Sequence, residues 1–168
     1  MIHAVVSALG PDRPGIVARV TRVLVDHGGN VADSHMGLLS GRFAMMLVVE
    51  LPDGADEQRL AGDLDAVASE LGLDALHVER LADAHASLPP THVVTVYGAD
   101  HPGIVAAVTE ALAAAGASVC DLQTRLAGEL YVMTIEVSGG DGSGEALRTV
   151  AVDQAVEISV RPIETDVL

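Results

Sequence analysis

The chain has 168 residues, long enough for one large domain or two small ones, and 49% of them are hydrophobic, enough for a buried core. A net charge of −15 repels phosphate backbones, and with aromatics at 2% and no Trp there is no stacking platform, so direct nucleic-acid binding is disfavoured; a solvated acidic surface, suited at most to a basic protein partner, is expected instead. No apolar run approaches the ~18 residues of a membrane span, Cys120 is the single cysteine, and MIHAVVSALGPDRPG lacks a basic region and an apolar signal core. No membrane partner, no internal disulfide and a cytoplasmic location follow as expectations.

The first run, IHAVVSAL (2–9), is rich in Val and Ile and predicts a strand. The turn Gly10-Pro11-Asp12-Arg13-Pro14-Gly15 follows. From Pro14 the apolar residues Ile16, Val20, Val23, Leu24 and His27 fall at helical spacing, with Arg22 and Asp26 placed to pair at i,i+4. Gly28-Gly29 stops that helix. Residues 31–39 predict a second strand, Ser40-Gly41-Arg42 a tight turn, and FAMMLVVEL (43–51) a third strand apolar enough to be central. After Pro52-Asp53-Gly54, residues 55–71 form an amphipathic helix with Leu60, Leu64, Val67, Ala68 and Leu71 on one face; Gly72 ends it, and 73–81 is a fourth strand.

ADAHASLPPT then reads as a connection, and the pattern restarts. Residues 92–97 are a strand, 102–115 an Ala-rich helix, 119–126 and 130–137 strands around Gly128, 138–144 a flexible Gly-rich loop, 145–152 a short helix and 156–163 the last strand. The halves superpose at an offset of 88 residues: Gly10 on Gly98, Asp12 on Asp100, Pro14-Gly15-Ile16-Val17 on Pro102-Gly103-Ile104-Val105, Gly28 on Gly116, Val31 on Val119 and Asp33 on Asp121. The chain is an internal duplication. Its domains are expected at residues 1–82 and 92–168, joined by a linker at 83–91. The class is α+β: two tandem ferredoxin-like βαββαβ units, each an antiparallel sheet with both helices on one face. The second strand of each unit is then an edge, open to pairing with another sheet, and a homodimer is expected.

The repeated turn carries the chemistry. Proline fits the first helical turn, where its missing N–H costs nothing, and the residue before it is pushed out of the helical region. Arg13 and His101 are thus expected at the caps, with Asp12 and Asp100 just outside. Helix amides beside a carboxylate suit a zwitterion, the amides facing its carboxylate and the Asp its ammonium.

The turn G-x-D-x-P-G-I-V, its spacing to Gly28-Gly29-Asn30-Val31-Ala32-Asp33 and the βαββαβ order resemble the ACT domain, a small-molecule sensing module often specific for amino acids. The resemblance covers essentially the whole chain as two tandem copies, and is similar to the glycine-cleavage-repressor-like group; paired modules of this kind also precede the catalytic domain of some phosphoserine phosphatases. It implies a non-enzymatic regulator, acting through a protein partner, that binds a small amino acid at ACT-domain interfaces. The implied ligand-binding positions are Asp12, Pro14, Gly15, Ile16, Asn30 and Val31 in the first copy, and Asp100, Pro102, Gly103, Ile104, Ser118 and Val119 in the second. Many members carry Asn where Asp12 stands, so the carboxylate is a departure that favours an ammonium group. Some ACT modules only assemble, and a ligand-free structural subunit is the alternative. Because Asn30 has a longer arm than Ser118 and Arg13 a fixed charge that His101 lacks, the first site is expected to bind more tightly.

Other patterns lead nowhere comparable. Asp63-Leu64-Asp65-Ala66-Val67 matches a dehalogenase-type nucleophile motif, but its apolar spacing is helical. Gly139–Gly144 lacks the spacing of a phosphate loop, and the seven histidines show no H-x-x-x-H pairing, so neither cofactor nor metal is expected. His27 and His35 are placed near the site as partly exposed structural residues. Met36, Met45, Met46, Met133 and Cys120 are taken as buried fillers.

Overall fold

Alternation in the first run forms β1 (Ile2–Pro11), which buries Ala4, Val6 and Ala8 on one face and leaves Val5, Ser7 and Leu9 on the other. The computed structural model describes residues 1–81, 88–140 and 142–163, so residues 83–87 of the expected linker lie outside the described residues. α1 (Ile16–Asp26) buries Ile16, Val20 and Leu24. β2 (Asn30–Leu39) and β3 (Arg42–Leu51) are joined by the two residues Ser40 and Gly41, at φ 50 and 76, the positive-φ pair that suits a tight hairpin. α2 (Glu57–Leu71) is capped by Asp56, whose side chain accepts from the Arg59 N–H at 3.0 Å, and buries Leu60, Leu64 and Val67 before β4 (Ala75–Arg80).

The second half repeats this as β5 (His92–Ala99), α3 (Ile104–Ala114), β6 (Ser118–Ala127), β7 (Leu130–Ser138), α4 (Ser143–Asp153) and β8 (Glu157–Pro162). The sheets have the order β2-β3-β1-β4 and β6-β7-β5-β8, antiparallel throughout. Each is a split βαβ pair, and the chain divides into two units, Met1–His85 and Ala86–Leu168, each with its own core. In each core one face of the two central strands packs against the buried stripes of both helices. The second strands are edges: every residue of β2 is exposed, because neither helix extends over it.

Several expectations are corrected. Met45 and Met133 are buried, but Met46 is 55% exposed on the helix-free face and Met36 is 42% exposed on β2. Cys120 is exposed, because β6 bulges between Val119 and Asp121 at a sheet edge and leaves it without a paired residue on β7. No Arg22–Asp26 pair forms among the described residues; Arg19, three residues earlier, instead grips Glu70 of α2 with both terminal guanidinium nitrogens. The loop after β7 is shorter than its composition suggests: Ser138 is already buried in the strand, and α4 begins at Ser143, also buried. The Asp63-Leu64-Asp65 stretch lies on α2, with Leu64 in the core and the Asp63 carboxylate 2.8 Å from His27 Nε2.

Candidate functional site

The repeated turn is built by close approach first and ligand chemistry second. A methyl group on Gly10 would fall 2.9 Å from the Leu73 backbone, and one on Gly98 would fall 2.6 Å from the Val156 side chain. The first glycine of the motif therefore lets the end of β1, or of β5, press against the chain entering the last strand. The last glycine does something different. Gly15 and Gly103 hold φ 95 and 105, a left-handed backbone that L side chains rarely adopt. They are the N-caps of α1 and α3. A cap in that conformation cannot be preceded by helix, so Pro14 and Pro102 stand in the turn rather than in the first helical turn, and Arg13 and His101 lie outside the cap. This corrects the expected boundary by two residues.

The geometry leaves polar groups on offer. Neither Gly15 nor Gly103 has a side chain to cap the amides behind it, and no acidic residue lies in the first turn of either helix. Nothing lies within 4 Å of where a Gly15 side chain would project. Ile16 and Ile104 bury their side chains at 2% exposure, so only their backbone amides can face a ligand. Asp12 and Asp100 are exposed, and the Asp12 N–H donates to the Gly41 carbonyl at 3.3 Å, tying the turn to the β2–β3 hairpin. The Arg42–Asp74 ion pair flanks this end of the first sheet, Arg42 lying in register with Pro11.

Arg13 and His101 play one role that their sequence difference hides. Arg13 brings its guanidinium against Gly72, the C-cap of α2, where a methyl would sit 3.4 Å from the nearest nitrogen. His101 Nε2 lies 2.8 Å from the carbonyl oxygen of Gln154, the C-cap of α4, and Nδ1 lies 3.2 Å from that of Pro102. Each sits at the negative end of a helix with no basic residue in its own last turn. The Gln154 carbonyl, then the Pro102 carbonyl, hold the His101 pKa above its ordinary value, with the Asp100 charge acting in the same direction. The second turn thus places a histidine at the helix C-terminus where the first places an arginine. Tyr131, which the sequence reading did not single out, is the counterpart of Phe43: each pairs with the motif's first glycine. Burial, then the Asp100 charge, push its phenol pKa up.

The strand positions are elsewhere. Asn30 is in register with Glu50, and Glu50 with His3, whereas Asp12 follows Pro11 at the opposite end of β1. Nine residues of strand put Asp12 and Asn30 roughly 30 Å apart along the sheet. Val31 lies beside Asn30, and Ser118 and Val119 occupy the same far end of the second sheet, next to Ser138 and Val137. Within one module the turn residues come together and the strand residues do not join them. His27 closes the C-terminal end of α1, far from Asp12, and His35 is exposed on β2. No cluster of metal-ligating side chains occurs among the described residues.

Two ferredoxin-like units, each opening its first helix on the same left-handed glycine cap, define a tandem protein of repeated small α+β modules. The ACT domain family matches residues 3–78 and again 91–161, and the chain belongs to that family. A UPF0237 family protein of Methanopyrus kandleri is 38% identical over 77 residues, spanning 45% of this chain and 86% of its own length. A protein of unknown function from Galdieria sulphuraria has a crystal structure that matches with a TM-score of 0.80 at 30% identity, over 97% of this chain and 99% of that one. The structure of a candidate glycine cleavage system transcriptional repressor shares the fold, with a TM-score of 0.73 at 20% identity over 98% of both chains. Among the described residues no helix is long and apolar enough to cross a membrane.

Proposed function

We propose that the protein is a non-enzymatic, cytoplasmic regulator whose modules bind a small α-amino acid at the β1–α1 and β5–α3 turns and signal through a protein partner. The observation that carries this is the duplicated turn: in both copies an exposed Asp stands three residues before the glycine cap of a helix that has no side-chain cap bond. The ligand's carboxylate meets those amides, and Asp12 or Asp100 meets its ammonium. The acidic surface, at a net charge of −15, suits a basic protein partner.

Strand register supports one arrangement for a site that also uses Asn30. The end of β2, at Leu39, is level with Pro11 and hence with the turn, while Asn30 is at its start. If two copies of the chain pair their β2 edges antiparallel, Asn30 of one comes level with the Asp12 turn of the other, across the β2–β3 hairpin to which the Asp12 N–H is tied. A homodimer would therefore complete the pocket as well as cover the edge.

A thermal-shift screen of the twenty amino acids tests the reading, with circular dichroism as readout because Trp is absent. At about ten times the dissociation constant a true ligand raises stability by about 1.4 kcal/mol. The shift should disappear in the Asp12→Ala/Asp100→Ala double variant. No shift with any amino acid would instead favour a ligand-free assembly subunit, a reading supported by the exposed apolar residues Met36, Leu38 and Leu39 on the β2 edge.

A further inference from the structure

At the end of the first module away from the turn, a cavity of about 220 Å³ opens between the start of α2 and the ends of β1, β3 and β4. Ala4, Leu51 and Leu60, each no more than 2% exposed, form its floor with Val78 beside them. Two charges stand at its mouth: Arg80, from β4, and Glu57, from the first turn of α2. Their closest approach is 3.5 Å, with both side chains at least half exposed. That exceeds the roughly 2.8 Å of a tight charge-assisted bond, and an exposed pair of this kind contributes little. Both charges are thus available to a ligand that offers shorter contacts.

The second module has a cavity in the same place. It measures about 210 Å³ and lies between α4 and β8, lined by Leu147, Ile158, Val160 and Arg148. Val78 pairs with Val6, and Val160 with Val94, the counterpart of Val6 in the repeat. The hollow is thus a property of the module. Its charges are not: in the second cavity the arginine comes from the helix instead of the strand, and no carboxylate lines it among the described residues.

We propose that the first module's cavity is a second small-molecule site, specific for an aliphatic α-amino acid. Arg80 takes the carboxylate, Glu57 takes the ammonium, and the apolar side chain lies over the buried floor against Ile2, Ala61 and Val78. The volume lies below the roughly 300 Å³ at which drug-sized pockets begin, which fits a ligand of amino-acid size. The site is roughly 25 Å from the Asp12 turn along β1, so it is independent of the turn reading.

The test is leucine titrated into isotope-labelled full-length protein to about 10 mM, a concentration that detects millimolar binding. It is read by amide NMR in the Asp12→Ala/Asp100→Ala background as well as in the unaltered chain. The expected result is saturable shifts at Leu60, Val78 and Arg80 in both proteins. Arg80→Gln and Glu57→Gln, both exposed and tolerable to the fold, should each weaken binding about tenfold or more, as should 4-methylpentanoate and 3-methylbutylamine, which each lack one charge. Glycine, with no side chain to bury, should leave these amides unmoved. Shifts confined to residues 12–16 and lost in the double variant, or leucine affinity unchanged by Arg80→Gln, would overturn the proposal. Equal binding of 4-methylpentanoate and leucine would overturn the role of Glu57. Failure of the turn reading would show separately, as absent shifts at residues 12–16 with those at Leu60 and Arg80 retained.

Discussion

Gly15 separates backbone demand from packing demand more cleanly than any other residue. Its surroundings are open, so Gly15→Ala adds no clash, yet φ 95 remains strained for alanine. The variant should lose about 1–3 kcal/mol of stability by chemical denaturation, the range for a side chain held in a sparsely populated backbone region. His101 makes the second residue-scale prediction. Its folded-state pKa is raised above the ordinary 6.5 by the Gln154 and Pro102 carbonyls. A raised pKa means the folded chain holds the proton more tightly than the unfolded one. Its contribution is therefore fully present below pH 6.5 and is lost as pH rises through the folded-state value. Urea midpoints between about pH 5 and pH 8 should fall less steeply in His101→Gln, whose amide donates to the same carbonyl at every pH.

At the scale of elements, α2 shows how end effects and face effects divide the stability of a helix. Asp56 accepts from the Arg59 N–H at its start, and Asp56→Ala should cost about 1 kcal/mol. Leu60, one turn on, is 1% exposed in the core, and Leu60→Ala should cost about 2–5 kcal/mol through lost burial and the void left behind. Met46→Ala is the control: the residue is as apolar but sits on the helix-free face of β3 at 55% exposure, and the change should cost well under 1 kcal/mol. Thermal unfolding of the three variants ranks them directly. A Met46 cost approaching that of Leu60 would mean that another surface covers the open face of the sheet.

For the molecule as a whole, duplication repeats one plan with different details. Both modules keep the glycine close approach, the left-handed cap and a nitrogen-bearing side chain from the turn at the C-terminal end of the second helix. What differs is Arg13 against His101, Phe43 against Tyr131 and Asn30 against Ser118. The fully exposed β2, with Leu38 and Leu39 62% and 75% exposed, is an edge that an isolated chain would leave unpaired. Light scattering at tens of micromolar should give the mass of a homodimer, and Leu38→Lys with Leu39→Lys should return it to monomer while leaving the circular dichroism spectrum unchanged. A wild-type monomer at that concentration would remove the support for a site completed by a second copy.

Local physics wrote much of this into the chain. Period-two and period-3.6 patterns gave the strands and the buried helix faces, since burial of one face demands them. The repeat gave two units, and the glycines marked the helix ends because few other residues accept those angles. Asp12, Gly15, Asp100 and Gly103 stood out in the sequence because the turn that holds them repeats, and the ligand role proposed for them is what the amino-acid screen tests. Registry across the sheet was not legible in this way. That Asn30 lies at the far end of its module from Asp12 depends on how β1 and β2 both pair with β3, a non-local choice no spacing encodes. The same holds for exposure: Met36, Met46 and Cys120 are apolar enough for a core, and only the reach of two helices over a four-stranded sheet decides that they stay outside it. The equivalence of Arg13 and His101, and the cavity at Glu57 and Arg80, likewise exist only once helix ends and strand ends from distant parts of the chain are brought side by side.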